Sequence, residues 1–253
     1  ALIADMKLHQ SESVDVASLL MAISSGLKLY DTEEVMAGRW GYGEQHCRET
    51  VRHYLKRIRA LKPIKISFRG LHPQCRFLPV DCVHLRSQEF RCNPSSQWYS
   101  HKFNGPGVSF EIVTDPINGY MRWLNGPEPA SIHDLTFLRC GKKGKKGDWK
   151  RTALYFHIPE NVRLVSDSAY EGQPDKVSTT KDAHNPETKK LFARMKSMQE
   201  TCFKRLKDFR ALREAFRHGT CTQDKLDKIQ LYMEAAAVLV QYDLENGHGL
   251  FQV

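Results

Sequence analysis

The stretch Arg76-Phe-Leu-Pro-Val-Asp-Cys-Val-His-Leu85 constrains this chain more than any other. It reads as a strand, with Pro79 pushing its start toward an irregular or edge position. In the middle of its apolar run stands a carboxylate, Asp81. Burying such a group is costly unless it is paired, hydrogen-bonded or bound to a metal. A chain that keeps it there must bring partners to it from elsewhere.

Three other acids are candidates. Residues 162–172 read as a short buried strand (Val162, Leu164, Val165) that stops at Asp167. A carboxylate at a strand end projects into the crevice where such sheets bind ligands, although a strand-end aspartate is more commonly a turn former or helix cap. Glu200 falls on a long helix, with Phe203 at i+3 and Lys196 and Lys204 at i−4 and i+4. Its bland explanation is an i,i+4 ion pair worth roughly 0.2–0.5 kcal/mol. Asp134, in Ser131-Ile-His-Asp134, fits a capping box better than a metal ligand, and His133 either orients a carboxylate or packs.

The periodicity divides the chain at about residue 65. Before it the apolar spacing is helical: a helix over 14–23, a second starting at Asp31 with an Asp31-x-x-Glu34 capping box, a Gly41-Tyr-Gly43 turn, and a longer helix over 44–61. In that last helix Val51, Tyr54, Leu55, Ile58 and Leu61 form the apolar stripe, while Arg48, Arg52, Lys56, Arg57 and Arg59 face elsewhere. A short helix, a glycine turn and a basic helix is the layout of a helix-turn-helix; packing against the main domain is the equal alternative. After residue 65 the period is that of strands, over 76–85, 98–103, 108–114 and 120–124, with a turn at Asp115-Pro-Ile-Asn-Gly119 and a connector at Gly126-Pro-Glu-Pro129. Then follow a short helix at Ser131, a Gly-Lys loop over 141–147, the strand ending at Asp167, a polar segment over 178–187, a long helix from Lys189 to about His218, and a last helix over 224–244. The organisation expected is a small all-α unit over 1–65 and an α/β domain over 66–253, a mixed sheet flanked by helices.

Among 253 residues, 41% are hydrophobic and 10% aromatic, which is the composition of a globular chain, and no apolar run approaches a membrane span. Residues 1–10 lack the basic cap and apolar core of a signal peptide, and the chain does not start with Met. Seven scattered cysteines without a C-x-x-C pair suggest free thiols in a reducing compartment. A zinc site built from Cys75, Cys82, Cys92 and nearby histidines has no ligand spacing in its favour. The formal charge of +9 suggests a polyanionic partner. It concentrates in residues 189–218, with ten Lys/Arg against three acids, and in 44–62, with six against two. Within the loop, Lys142, Lys143, Lys145 and Lys146 are placed to touch a phosphate backbone, but no G-x-x-x-x-G-K-[ST] occurs, which excludes nucleoside triphosphate hydrolysis by a P-loop.

Three carboxylates on a mixed sheet and a neighbouring helix suit two-metal phosphodiester cleavage. Mg²⁺ and Mn²⁺ prefer carboxylate and water oxygens, and two ions about 3.5–4 Å apart activate the attacking oxygen and stabilise the leaving one. Asp81, on a rigid central strand, would bridge both ions; Asp167 and Glu200 would each complete one shell. Arg48, Arg52, Lys56, Lys196, Lys204, Arg205 and Lys207 would hold the phosphates.

The blocks Val80-Asp-Cys-Val-His84, Pro129-Ala-Ser-Ile-His-Asp134, Ser166-Asp-Ser-Ala-Tyr170 and Gln199-Glu-Thr-Cys-Phe-Lys-Arg-Leu-Lys207 resemble, in order, those of the PIF/Harbinger-type DDE transposases. The segment Tyr232-Met-Glu-Ala-Ala-Ala-Val-Leu-Val-Gln-Tyr-Asp243 and the helix-turn-helix are also similar, so the likeness spans residues 14–253. It implies an RNase H-like catalytic domain with Asp81, Asp167 and Glu200 as the catalytic and metal-binding acids and Asp134 in support. It further implies two Mg²⁺ or Mn²⁺ ions per site, cleavage and strand transfer on double-stranded DNA at terminal inverted repeats, a homo-oligomer on that DNA, a Myb-like partner protein and a nuclear location. Two blocks depart from the family: Asp-Cys-Val-His stands where Asp-Gly-Thr-His is usual, and Glu-Thr-Cys-Phe where Glu-Arg-x-Phe is. A domesticated DNA-binding protein with the same fold is the alternative these departures leave.

Overall fold

In a computed structural model the described residues are 1–90, 95–139 and 152–250. The expected contacts of Lys142, Lys143, Lys145 and Lys146, and the thiols of Cys92 and Cys140, lie outside them.

The N-terminal quarter is helical: α1 (Leu2–Gln10), α2 (Val16–Met21), a π-helical turn over Ala22–Lys28, α3 (Glu33–Trp40), α4 (Glu44–Arg59) and α5 (Lys62–Lys65). Thr32, not Asp31, caps α3, its hydroxyl accepting from the Val35 amide at 3.3 Å. The Asp31-x-x-Glu34 box does not form, because Asp31 pairs with Arg39 instead. Gly41, at φ 72°, ends α3 in the left-handed turn that a glycine takes without strain. On α4 the apolar stripe is buried as its spacing dictates, but Arg57 is buried with it. Its guanidinium donates to the Gln10 side chain and to the carbonyls of Ser13 and Glu12, which makes it an anchor for the preceding chain rather than an outward-facing charge. The buried face of α4 belongs to the same continuous core as strand and C-terminal helix residues such as Val83, Phe110 and Ala235.

The sheet is mixed. It comprises β1 (Phe77–Arg86), a two-residue β2 (Tyr99–Ser100), β3 (Gly105–Thr114), β4 (Met121–Pro129), β5 (Arg163–Ser166) and β6 (Val177–Thr179). β1 pairs antiparallel with β3 and parallel with β5; β5 pairs parallel with β6; β4 closes the far edge on β3. Helices α6 (Asp134–Leu138), α7 (Pro186–Lys207), α8 (Arg210–Arg213) and α9 (Thr222–Glu245) complete the chain. This is the expected RNase H-like arrangement of a mixed sheet flanked by helices.

Several boundaries move for identifiable reasons. β4 runs on through Gly126-Pro-Glu-Pro129, which periodicity suggests is a connector. An edge strand tolerates prolines because its outer amides need no partner. β6 occupies part of the polar segment, since three residues paired to β5 are too few to show a period. The strand read at 98–103 shrinks to Tyr99–Ser100, after a 3-10 turn at Ser96–Trp98. The long helix ends at Lys207 rather than near His218. Leu212 continues its apolar spacing on α8, but Phe216 lies in a bridge alongside Ser87 and packs among Tyr30, His218 and Tyr232.

The turn over 115–119 forms as read, and it hides an ion pair. Asp115 is fully buried and accepts from Arg122 at 2.6 and 3.1 Å, while Arg122 also donates to the carbonyls of Arg69 and Gly70. Removing one partner leaves the other charge buried and uncompensated, which costs about 3–5 kcal/mol. Asp115→Ala should therefore lower unfolding free energy by about that amount in urea titrations; a loss below about 1 kcal/mol would show the pair to be dispensable.

Candidate active site

The site begins with strand register. β5 aligns with β1 in parallel through Phe77↔Arg163, Leu78↔Leu164 and Pro79↔Val165. Continued two residues, that register sets Asp81 abreast of Asp167 on one face of neighbouring strands, which lie about 4.8 Å apart. Both line one cavity of about 20 Å³, room for a single water-sized species, together with Thr180, Lys196 and Gln199. Asp167 does act as the turn former its position suggests: it caps the Ser168–Tyr170 turn through Oδ1, 2.9 Å from the Ala169 amide. Oδ1 of Asp81 accepts from the Cys82 amide at 2.6 Å. In each case one carboxylate oxygen is tied to backbone.

Asp134 joins them. The expected capping box is absent: α6 has His133 at its N-cap with no side-chain cap, and Asp134 is its first helical residue. Freed from that task, its carboxyl lies near Cys82, Asp167 and Lys102. Burial raises its pKa and Asp167 adds to the rise, while Lys102, the Cys82 thiol and His133 oppose it. Burial pushes Asp81 up to about 6, with Asp134 and Asp167 adding repulsion and Lys102 offsetting part of it. Three aspartates thus share one electrostatic environment, and Lys102 is the cation set against two of them. Periodicity gives no hint of Lys102, which sits in the irregular turn between β2 and β3 and donates to the Cys82 carbonyl at 2.9 Å.

Glu200 is carried by α7, the helix packed on β1, but lines neither cavity that contains Asp81. Gln199, next to it, is buried; its Nε2 donates to the Ile112 carbonyl at 2.9 Å, and its Oε1 accepts from the Thr114 hydroxyl. Ile112 is the cross-strand partner of Asp81, so Gln199 pins α7 to the sheet at the level of the central aspartate. At 3.6 residues per turn, Glu200 lies on the same stripe as Lys196, Phe203 and Lys207, all of which line cavities that also contain Asp81. The ion pair with Lys196 or Lys204 that its spacing offers is not formed, and among the described residues Glu200 has no salt-bridge partner. It is exposed. No three His, Cys, Asp or Glu side chains among the described residues stand together as a ready-made metal cluster, zinc ligands included. The donor set itself, carboxylate oxygens with one lone pair set uncommitted in a crowded acidic pocket, fits a hard divalent cation.

Beneath the opposite face of β1 lies a second polar group. Cys82 meets the Tyr170 hydroxyl at 3.4 Å, and its cross-strand partner Glu111 is fully buried. Oε2 of Glu111 accepts from Trp123 Nε1 at 3.2 Å and Oε1 has no partner. Burial pushes Glu111 up to about 8, against the Trp123 hydrogen bond, with Asp134 adding to the rise.

The basic residues divide by their bonds. Arg48 pairs with Glu33; Arg205 pairs with Asp243 and ties down the carbonyls of His248 and Gly249. Arg52, Lys56, Lys196 and Lys204 are exposed, and Lys207 is half-buried. No described helix is long and apolar enough to cross a membrane.

A family model described as DDE superfamily endonuclease matches residues 80–241. No curated protein matches the chain.

Glu111 has a pH signature. Its pKa is raised in the folded state, so its contribution to stability is complete below the unfolded carboxyl range and is lost as pH rises toward about 8. Relative to wild type, Glu111→Gln should gain up to about 1.4 kcal/mol per pH unit between pH 5 and 8. Thermal or urea unfolding across that range measures it, and a constant difference would contradict the buried, protonated acid.

Proposed function

The chain belongs to the DDE superfamily endonucleases, and from that premise we propose that it is a divalent-metal-dependent DNA nuclease and strand transferase of the PIF/Harbinger type. Its substrate is double-stranded DNA at terminal inverted repeats. Asp81, Asp167 and Glu200 are the catalytic and metal-holding acids and Asp134 supports them. The observation that carries this reading is the parallel register that sets Asp81 beside Asp167; Glu200 is brought in through its helix neighbours Lys196 and Gln199, which line the same cavity.

In this mechanism Asp81 and Asp167 supply hard oxygens from adjacent strands, and Glu200 supplies them from the helix anchored by Gln199. Mg²⁺ or Mn²⁺, when bound, supplies activation of the attacking water or 3′-hydroxyl and neutralises the leaving oxygen. Lys196, beside Asp81 and Asp167, offers its ammonium to the phosphate entering the pocket. Away from the pocket, the exposed face of α4 carrying Arg52 and Lys56, with Arg48, and the helix cations Lys204, Arg205 and Lys207 supply further phosphate contacts. The proposal extends to a homo-oligomer on DNA, a Myb-like partner and a nuclear location.

A second reading, a DNA-binding protein that no longer cuts, is favoured by one observation: no three ligating side chains are gathered in advance among the described residues. The two are separated by incubating the protein with a labelled terminal-repeat duplex in Mg²⁺ or Mn²⁺. The first reading expects nicking, falling at least about 100-fold in Asp167→Asn and Glu200→Gln. The second expects salt-dependent binding without nicking, unchanged by those substitutions. Cleavage that survives both substitutions would remove these residues from the chemistry.

A further inference from the structure

Asp81 also lines a cleft of about 500 Å³ that the reading above touches only through Asp81 and Lys207. Its walls come from four separated stretches of chain. β1 contributes Asp81, His84 and Arg86; the turn after β2 contributes Lys102 and Phe103; α7 contributes Phe203 and Lys207; and α8 contributes Arg213. Four cations therefore converge on a space whose one acid is Asp81 at its end.

Elsewhere in this protein, several buried or half-buried basic side chains are set against acids. Arg59 and Lys62 share Glu234, Lys65 takes Glu245 and Asp5, and Arg122 takes Asp115. In the cleft the opposite holds. Among the described residues none of Arg86, Lys102, Lys207 and Arg213 forms an ion pair. Arg86 stacks over the Phe103 ring at 5.1 Å, which fixes its guanidinium without neutralising it. Lys207 is half-buried, and burial together with repulsion from Lys102 and Arg86 lowers its pKa. Four like charges with acids only at the Lys102 end are a cost to the fold that a bound anion offsets. His84, tied through Nδ1 to the Ser100 hydroxyl at 2.7 Å, is kept neutral by burial and by Lys102 and Lys207, so it presents a hydrogen-bonding edge and not a fifth charge.

Shape narrows the anion. Arg86 lies five residues beyond Asp81, roughly 16 Å along the strand at 3.3 Å per residue, so the cations form a track and not a point. Two phenylalanines line the same track. A positively charged groove with aromatic surface is the form that nucleic-acid strands occupy.

We propose that this cleft holds the sugar-phosphate backbone of the DNA strand that runs from the scissile phosphate out of the Asp81 pocket. Arg86, Lys102, Lys207 and Arg213 contact successive phosphates, and Lys102 stands at the junction between acids and track. The inference rests on the nuclease reading for its substrate, but its test is independent of cleavage.

The test is the salt dependence of binding. A labelled mixed-sequence duplex is titrated, without divalent metal, by the full chain and by a Lys102→Gln, Lys207→Gln, Arg213→Gln variant. Each lost phosphate contact makes the slope of log K against log salt shallower by about 0.9. The variant should bind with a slope shallower by about 2–3 while still unfolding in a single cooperative transition. Lys207→Gln with Arg213→Gln alone, which touches no hydrogen bond of the fold, should lose about 1.5–2 and guards against a disturbed Lys102 turn. A wild-type slope in both variants overturns the cleft assignment even if the enzyme cleaves. A reduced slope in a protein that never nicks DNA upholds the cleft and overturns the nuclease reading.

Discussion

Everything at the site depends on the parallel pairing of β1 with β5. That pairing, and not any local preference, brings Asp81 beside Asp167, residues 86 positions apart in sequence. A slip of one residue would turn Asp81 to the opposite face and into the core formed by Leu78, Val80 and Cys82. The register is held from both sides. Leu78 and Leu164 are fully buried partners, and the Arg163 amide donates to the Arg76 carbonyl at 2.9 Å where the pairing begins. On the other side of β1, Gln199 fastens α7 to Ile112, the residue paired with Asp81. One buried amide thus sets both the height and the rotation of the helix that carries Glu200.

What the sequence reveals depends on whether a residue has a local explanation. Asp81 has none, since a carboxylate inside an apolar strand satisfies no turn or cap, and so its need for partners from elsewhere in the chain is legible without coordinates. Asp134 has a local explanation that is wrong. Ser131-x-x-Asp134 matches a capping box, yet the helix starts later and the carboxyl turns to Cys82 and the other acids. Lys102 and Gln199 have no legible signal because their roles exist only across elements far apart in the chain. The same reasoning explains the boundaries. Phe216 keeps helical spacing with Leu212, but the aromatic cluster around Tyr30 and Tyr232 takes it out of the helix. β6 needs β5 beside it before its three residues count as a strand.

Net charge is similarly misleading until pairing is known. The basic stretch over 44–62 looks like a nucleic-acid footprint, but Arg48, Arg57, Arg59 and Lys62 all bond within the fold. They join the helical unit to itself and to α9, in keeping with an apolar core that runs without a break from α4 into the sheet. In the α7–α8 region Lys207 and Arg213 form no ion pair among the described residues, and Lys102 and Arg86 join them from the sheet side. Counting free cations instead of all cations moves the strongest polyanion surface from the N-terminal helices to the cleft beside Asp81.

The acids and the cleft carry opposite strain. Asp81, Asp134 and Glu111 are pushed up by burial, so the fold favours their protonated forms more than water does. Lys207 is pushed down, so the fold disfavours its charge. Each group alone lowers stability; a cation among the acids and an anion among the bases would relieve both at once. Perturbed groups gather at functional sites for this reason, and here the two kinds meet at Lys102. It is close enough to Asp81 and Asp134 to hold their pKa values down and to Lys207 to hold that one down as well. A single lysine therefore couples the two halves: deleting it would raise the proton affinity of the acids and at the same time ease the repulsion on Lys207, a double effect that removing any one acid does not have.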